Sequence, residues 1–373
     1  MHIMDALVAH GCLIVDLADS GARTDLPLIM ANMWEASTTF FAALNAHPEK
    51  EMQLPKMASI PASPYAKMGY VNTQDGMKFM ETRVDRATGN VMPAALTSIV
   101  GEDGMDSLSQ AFRVIADVGK DVVRIATAAS SVENKGFDVS AEETPAVSGL
   151  KFFGDEELAE DPIASAIMSS ECAKLMVDEL LDDGMLSHFS KQEGTVSMSP
   201  LRLCSYSNVK EDTPTEVFGA HTDSSFVTIV PVASVSGLEV YDEDAEQWYR
   251  PELKARSIWE AERESKGENK QALFETIQID SNEIQIPWHA RYLVVMPGEF
   301  LQIVSRNEIA AAVHRVVASG PERISAPVLV RGRPGVAMDV QRYLGRINDM
   351  LLEQVKGLDM QQIHDAMQPS SFQ

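Results

Sequence analysis

The strongest constraint on the fold is a change of texture near Pro200. Before it, apolar residues recur at helical spacing. "PLIMANMWEASTTFFAALN" (27–45) carries one such pattern and "HPEK" breaks it. From Asp106, a capping residue type, Leu108, Phe112, Ile115, Val118, Val122 and Ile125 step by three or four along one amphipathic helix. A third pattern starts at Asp161, with Pro162 in the favourable first turn. After Pro200 come short β-rich runs divided by turn residues: "LRLCSY", "FVTIV", "LEVY", "YLVVM", "FLQIV", "AAVHRVVA" and "SAPVLV". Many short strands of this kind close into a barrel or a double sheet. Residues 338–367 return to helical spacing through Tyr343, Ile347, Leu351 and Val355. The expected class is α+β in one structural unit: a mainly helical region over 1–195, a β core over 196–335 and a carboxy-terminal helix and tail over 336–373. One segment interrupts the β core. Residues 252–283 are long, charged and helix-prone, and read as an insertion that is either a solvent-exposed excursion or a lid over a nearby site.

Composition narrows the partners. Lys plus Arg number 31 against 55 Asp plus Glu, a formal charge of −24, which repels nucleic acid and anionic membrane surfaces. Acidic runs such as "GDEELAED" (154–161) read as solvated surface. Cys12, Cys172 and Cys204 are far apart and form neither a disulfide framework nor a zinc spacing. The first thirty residues carry Asp5, Asp16 and Asp19 and no basic start followed by an apolar run. No stretch approaches the ~20 apolar residues of a membrane helix. A cytoplasmic monomer acting on a small molecule is the expectation.

The chemistry-bearing residues stand in the second half. In "GAHTDSSFVTIV" (219–230), His221 and Asp223 are two apart, so an extended strand aims both at one point. Such a pair alone is usually a hydrogen-bonded strand end. A further histidine, His314 in "AAVHRVV", supplies a third candidate. Two histidines and a carboxylate on one face of an octahedral ion leave three positions open, as in non-haem iron(II) oxygenases. In "ERIS", Arg323 and Ser325 again share a strand face, and a guanidinium beside a hydroxyl forms a fork for a carboxylate.

The order HxD, distant His, then RxS resembles the iron(II)- and 2-oxoglutarate-dependent dioxygenases, in the branch of isopenicillin N synthase and the plant oxygenases. "LRLCSYSN" resembles the family's strand whose tyrosine contacts 2-oxoglutarate, here Tyr206, and "MPGEFLQIVS" resembles its glycine-acid turn. "HGCLIV" (10–15), "FFAALNAHPEK" (40–50) and Gly69–Tyr70 are fainter echoes of its helical region. There are three departures: the chain starts within the family's first helix, Cys204 replaces an asparagine, and the 252–283 segment lengthens the gap before His314.

The resemblance implies a double-stranded β-helix (jelly-roll) core. It also implies iron(II) on His221, Asp223 and His314, and 2-oxoglutarate held by Arg323, Ser325 and Tyr206. Oxygen completes the chemistry, with ascorbate as an activator. Succinate and carbon dioxide are released, and an iron(IV)-oxo species hydroxylates, desaturates or cyclises a small molecule, as in penicillin-type or kainoid ring closure. Tyr65, Tyr70, Arg83 and Phe226 are the candidate substrate contacts. The alternatives are an iron oxidase of the same fold that needs no 2-oxoglutarate, and a jelly-roll module without catalysis.

Overall fold

The structure is a computed structural model that describes residues 3–19, 23–60, 63–73, 76–131, 171–184, 194–207, 214–279, 281–318, 320–344 and 349–367. The amino-terminal part forms α1 (Ile3–His10), β1 (Leu13–Asp16), α2 (Leu26–Ala46), β2 (Ala58–Ile60), β3 (Ser63–Asn72), β4 (Met77–Val84), β5 (Val91–Met92), α3 (Thr97–Ser131), α4 (Glu171–Leu180) and β6 (Leu181–Asp182). The second half contributes β7 (Leu201–Tyr206), β8 (Thr215–His221), β9 (Val227–Pro231), β10 (Leu238–Asp242), β11 (Gln247–Tyr249), α5 (Pro251–Ser265), β12 (Phe274–Ile279) and β13 (Asn282–Pro287). It continues with β14 (Tyr292–Pro297), α6 (Glu299–Val304), β15 (His314–Ala318), β16 (Arg323–Ser325), β17 (Val328–Gly332), α7 (Val340–Leu344), α8 (Met350–Val355) and α9 (Met360–Met367).

Eleven of the described strands form one antiparallel sheet in the order β1-β14-β9-β17-β7-β4-β3-β2, with β16 on β7, β5 on β4 and β6 on β17. A second sheet runs β11-β10-β15-β8, and β12 with β13 forms a separate hairpin. Strand alternation decides what each face of the large sheet does. Val227, Ile229, Val328 and Val330 belong to the main buried core on one face. There α3 lies as close as backbone allows: a Cβ added at Gly119 would sit 2.8 Å from both Ile229 and Val330. Thr228, Val230, Pro327 and Leu329, the alternate residues, line a cavity on the opposite face.

The helix expected over 27–45 is α2, and its Phe40, Phe41 and Leu44 are fully buried. The next one begins earlier than its pattern suggests. It runs from Thr97 with a break at Gly101 (φ 74°), so Asp106 sits inside the helix and caps nothing. The pattern starting at Asp161 lies partly outside the described residues, and α4 is its described end. The carboxy-terminal pattern is three short helices rather than one, because Asp349 accepts from the amides of Leu351 and Leu352 and restarts the chain as α8. The mainly helical first half also contains β2 to β5, all of which join the large sheet. "HGCLIV", grouped with the helical region, provides β1 on β14. Among the described residues no helix is long and apolar enough to cross a membrane.

The 252–283 segment is α5 followed by β12 and much of the hairpin. It is no free excursion. Ala255 and Trp259 are fully buried among Val230, Leu238, Val240 and Trp288. The guanidinium groups of Arg256 and Arg263 stack 4.6 and 4.8 Å from the Trp259 ring. Charged side chains therefore cover the apolar anchor with their stems and keep their charges at its rim.

Candidate metal and cosubstrate site

The smaller sheet brings the sequence-distant histidines together by register. In the β8–β15 ladder His221 stands directly opposite His314, and their rings lie 4.3 Å apart. Asp223 follows β8 by two residues and completes the group. One ligand atom from each of the three lies within 4.8 Å of the others. His221 Nε2 is 3.6 Å from Asp223 Oδ1 and His314 Nε2 is 3.4 Å from Oδ2.

Both imidazoles are fixed from behind. His221 Nδ1 lies 2.8 Å from the Gly219 carbonyl, and His314 Nδ1 lies 3.1 Å from that of Ala312. A carbonyl only accepts, so Nδ1 carries the proton and Nε2 keeps its lone pair toward Asp223. Phe218 packs edge-on against His221 at 4.4 Å. Thr228 donates to Asp223 Oδ2 at 2.6 Å. Burial alone would raise the Asp223 carboxyl. The two histidines and Thr228 outweigh it and hold the group well below the usual carboxylate range. At His314, burial prevails and lowers the histidine, whereas at His221 burial is outweighed by Asp223 and the value rises.

The glycine-acid turn clamps the loop that carries Asp223. The amide of Glu299 donates to Asp223 O at 2.9 Å, that of Phe300 to Ser225 O at 3.0 Å, and that of Gly298 to Phe226 O at 2.9 Å. Thr222 Oγ1 adds a 2.7 Å bond to Glu299 Oε1. Gly298 is required by contact: a Cβ there would meet Ser225 O at 2.2 Å and Asp223 O at 2.8 Å.

Tyr206, Arg323 and Ser325 line the same cavity as the three ligand candidates. Arg323 pairs with Tyr206 across the β16–β7 ladder, and its guanidinium lies 5.3 Å over the Tyr206 ring. The group is 1% exposed, so its charge needs compensation. Nη2 donates to Glu252 Oε1 at 2.8 Å. Nε and Nη1 are buried with no hydrogen-bond partner. Two orphaned donors on a buried cation, in the cavity that holds the His-Asp-His group, fit a carboxylate ligand.

Glu252 is a partner that sequence reasoning missed. Besides Arg323, its carboxylate accepts from the amides of Ala233 (3.3 Å), Gly237 (2.7 Å) and Leu238 (3.1 Å). The first turn of the 252–283 segment thus buttresses Arg323 from behind and is no lid over the metal candidates. Its position at the head of a charged run hid its burial. Arg202 was missed too, although it alternates with Cys204 and Tyr206 on the cavity side of β7. The logic that paired His221 with Asp223 would have found it.

The substrate candidates do not gather at the cavity. Phe226 is fully buried in the main core against Phe300, 5.5 Å between rings, because it precedes β9 in a bend, where its amide donates to Val330 O and its carbonyl accepts from Gly298, and so escapes the strand's alternation. Tyr70 is packed into the same core. Arg83 is buried on the sheet's inner face but outside the cavity lining, with Nη2 on Glu81 at 2.5 Å and Nε on the Lys67 carbonyl at 3.0 Å. The side chain of Tyr65 lies outside the described residues. Cys204, where an asparagine was expected, is buried on the cavity wall.

No family model matches the chain, and no curated protein matches it in sequence. Solved structures do. A full-length Neurospora crassa protein in complex with alpha-KG and 5-formyluracil aligns with 98% of this chain and 88% of its own, at 16% identity and a TM-score of 0.57. The same protein with alpha-KG alone gives 16% identity, the same coverage and a TM-score of 0.55. The Arabidopsis thaliana dioxygenase for auxin oxidation 1, as a complex with 2-oxoglutarate, aligns with 91% of each chain at 15% identity and a TM-score of 0.49. At such identities what the chain shares with the Neurospora crassa protein is its fold.

Proposed function

We infer that this chain, having the fold of a protein that binds alpha-KG, is an iron(II)- and 2-oxoglutarate-dependent oxygenase that oxidises a carbon–hydrogen bond of a small molecule. The observation that carries the reading is the shared cavity. His221, Asp223 and His314 converge there, and the orphaned donors of Arg323 face the same space. Two facing antiparallel sheets with the ligand candidates between them support a double-stranded β-helix core.

Bound iron(II) with 2-oxoglutarate and oxygen supplies the oxidising chemistry. This chain's residues do the rest. The carbonyls of Gly219 and Ala312 hold the neutral imidazoles' protons on Nδ1, which leaves both Nε2 lone pairs toward the metal position. Thr228 occupies a lone pair of Asp223 Oδ2 and fixes the carboxylate plane. Arg323 takes the far carboxylate of 2-oxoglutarate, with Tyr206 beneath the guanidinium and Ser325 on the same face of β16. Leu238, Met296 and Val316 keep the walls between apolar, which strengthens each charge interaction inside.

The test is turnover of 2-oxoglutarate by purified protein supplied with iron(II) and oxygen. Succinate and carbon dioxide are expected in equal amounts, and both are lost in His314→Ala. Oxygen consumption without succinate would instead assign the chain to the oxidases that need no 2-oxoglutarate.

A further inference from the structure

The inner face of the large sheet is polar at one end in a way the proposed cosubstrate does not use. Alternation places Arg202 on the cavity side of β7, with Cys204 and Tyr206. On β17, Arg331 lies two residues beyond Leu329, which lines the cavity, and so shares its face. On β4, Glu81 stands opposite Arg202 in the ladder, with Arg83 two residues on. Arg323 pairs with the other end of β7, at Tyr206. The sheet thus carries guanidinium groups at both ends of one inner face, with the metal candidates facing its middle.

The charges at the Arg202 end do not balance. Glu81 is the shared anion: Oε1 accepts from Arg83 Nη2 at 2.5 Å, and Oε2 accepts from Arg202 Nε at 3.1 Å and Nη2 at 2.6 Å. Arg83 spends its other nitrogens on the carbonyls of Lys67 and Met198. Asp182, the next acid, is fully buried and held by Arg86. Among the described residues the Arg331 guanidinium has no hydrogen bond or ion pair, and its Nε is buried without a partner. Burial, and then the neighbouring Arg83, pull Arg331 down to about 10 from the ordinary arginine value. Three cations therefore surround one carboxylate at this end of the sheet, with Arg202 lining the cavity itself, in a chain of formal charge −24. Asp223, the remaining nearby anion, is committed to His221 and His314. Crowding half-buried cations around one carboxylate is costly, and retaining them is explained by a ligand that brings the missing charge.

We propose that Arg202 and Arg331, backed by Arg83 and Glu81, form a carboxylate-recognising subsite, so that the oxidised substrate is a small organic acid held at the opposite end of the sheet from Arg323. This rests on the oxygenase reading and names the substrate class within it. Arg202 Nη1 and the whole Arg331 fork are the available donors. The carboxylate sits at their end of the cavity and the substrate's carbon skeleton extends toward the His-Asp-His group. Its charge completes the ion network, whereas an amide or ester of the same shape leaves Arg331 unpaired.

The experiment uses anaerobic protein loaded with iron(II) and saturating 2-oxoglutarate, which fills the Arg323 end. Phenylacetate and phenylacetamide, alike in shape and different in charge, are titrated by calorimetry at constant ionic strength. The carboxylate should bind roughly ten- to hundredfold more tightly than the amide. Arg331→Met should abolish that preference, keep the iron–2-oxoglutarate absorption band, and leave the unfolding midpoint unchanged or raised, since it removes a cation from a cationic cluster. Equal binding of the two probes, no saturable carboxylate binding, or an undiminished preference in Arg331→Met overturns the proposal. Loss of the band in that variant also overturns it, by assigning the cluster to support of Asp223. Absence of the band in the wild type would count against the oxygenase reading alone, since calorimetry still reports the anion preference.

Discussion

Replacing Glu252 by glutamine tests whether the charged 252–283 segment is structural support for the cosubstrate anchor. All four groups around the Glu252 carboxylate are donors. Oε1 takes Arg323 Nη2 and the Ala233 amide, and Oε2 takes the amides of Gly237 and Leu238. Glutamine offers one oxygen and one NH2. Whichever way the amide turns, its NH2 faces either Arg323 and Ala233 or Gly237 and Leu238, and two buried donors lose their acceptor. At about 1–3 kcal/mol for each unsatisfied group, the expected loss is about 3 kcal/mol, consistent with breaking a buried ion pair from one side. The assay is urea unfolding of the wild type and Glu252→Gln, compared at equal m-values so that the midpoint shift reads stability. Glu260→Gln is the control. That residue pairs with Arg256 one helical turn apart and is 39% exposed, so about 0.5 kcal/mol or less is expected. If Glu252→Gln were no less stable than the control, the carboxylate would not be neutralising Arg323 and the buttress argument would fail.

Two further outcomes follow from the geometry. Gly298→Ala should lower iron(II) affinity by roughly tenfold or more, because its Cβ would collide with Ser225 O and Asp223 O and displace the ligand loop; metal titration checks this, and unchanged affinity would mean the clamp is not tight. His289 is buried between Trp34 and Trp288, and burial lowers it from the ordinary 6.5 to about 4. The unfolded chain takes up that proton first, so its contribution is complete above pH 6.5 and about 3 kcal/mol is lost as pH falls from there to about 4. Unfolding free energies across that range in wild type and His289→Gln should differ by the uptake of one proton; identical slopes would contradict the assignment.

The site was legible where chemistry and strand periodicity coincide. His221 with Asp223, and Arg323 with Ser325, sit at i and i+2 in strands, and the β8–β15 register supplied the partner at His314 that no local pattern could place. The β half was readable because its strands are apolar. β4 was not: "MKFMETRV" turns Glu81 and Arg83 inward, so ion pairs replace the apolar stripe by which a strand is recognised. The same inversion hid Glu252, a buried carboxylate at the start of a charged helix. Phe226 shows the opposite error: an aromatic three residues from Asp223 looks like a cavity wall, yet the bend before β9 takes it out of the strand's alternation and into the core. In each case the missing information was which face a side chain takes, and only sheet packing decides that.

The most direct test of the central claim is anaerobic titration of the protein with iron(II) and 2-oxoglutarate, followed by visible absorption. Iron held by His221, Asp223 and His314 and chelated by the keto acid should give a saturable metal-to-ligand charge-transfer band, lost in His221→Ala. No band in the wild type, or an undiminished band in His221→Ala, would contradict the site.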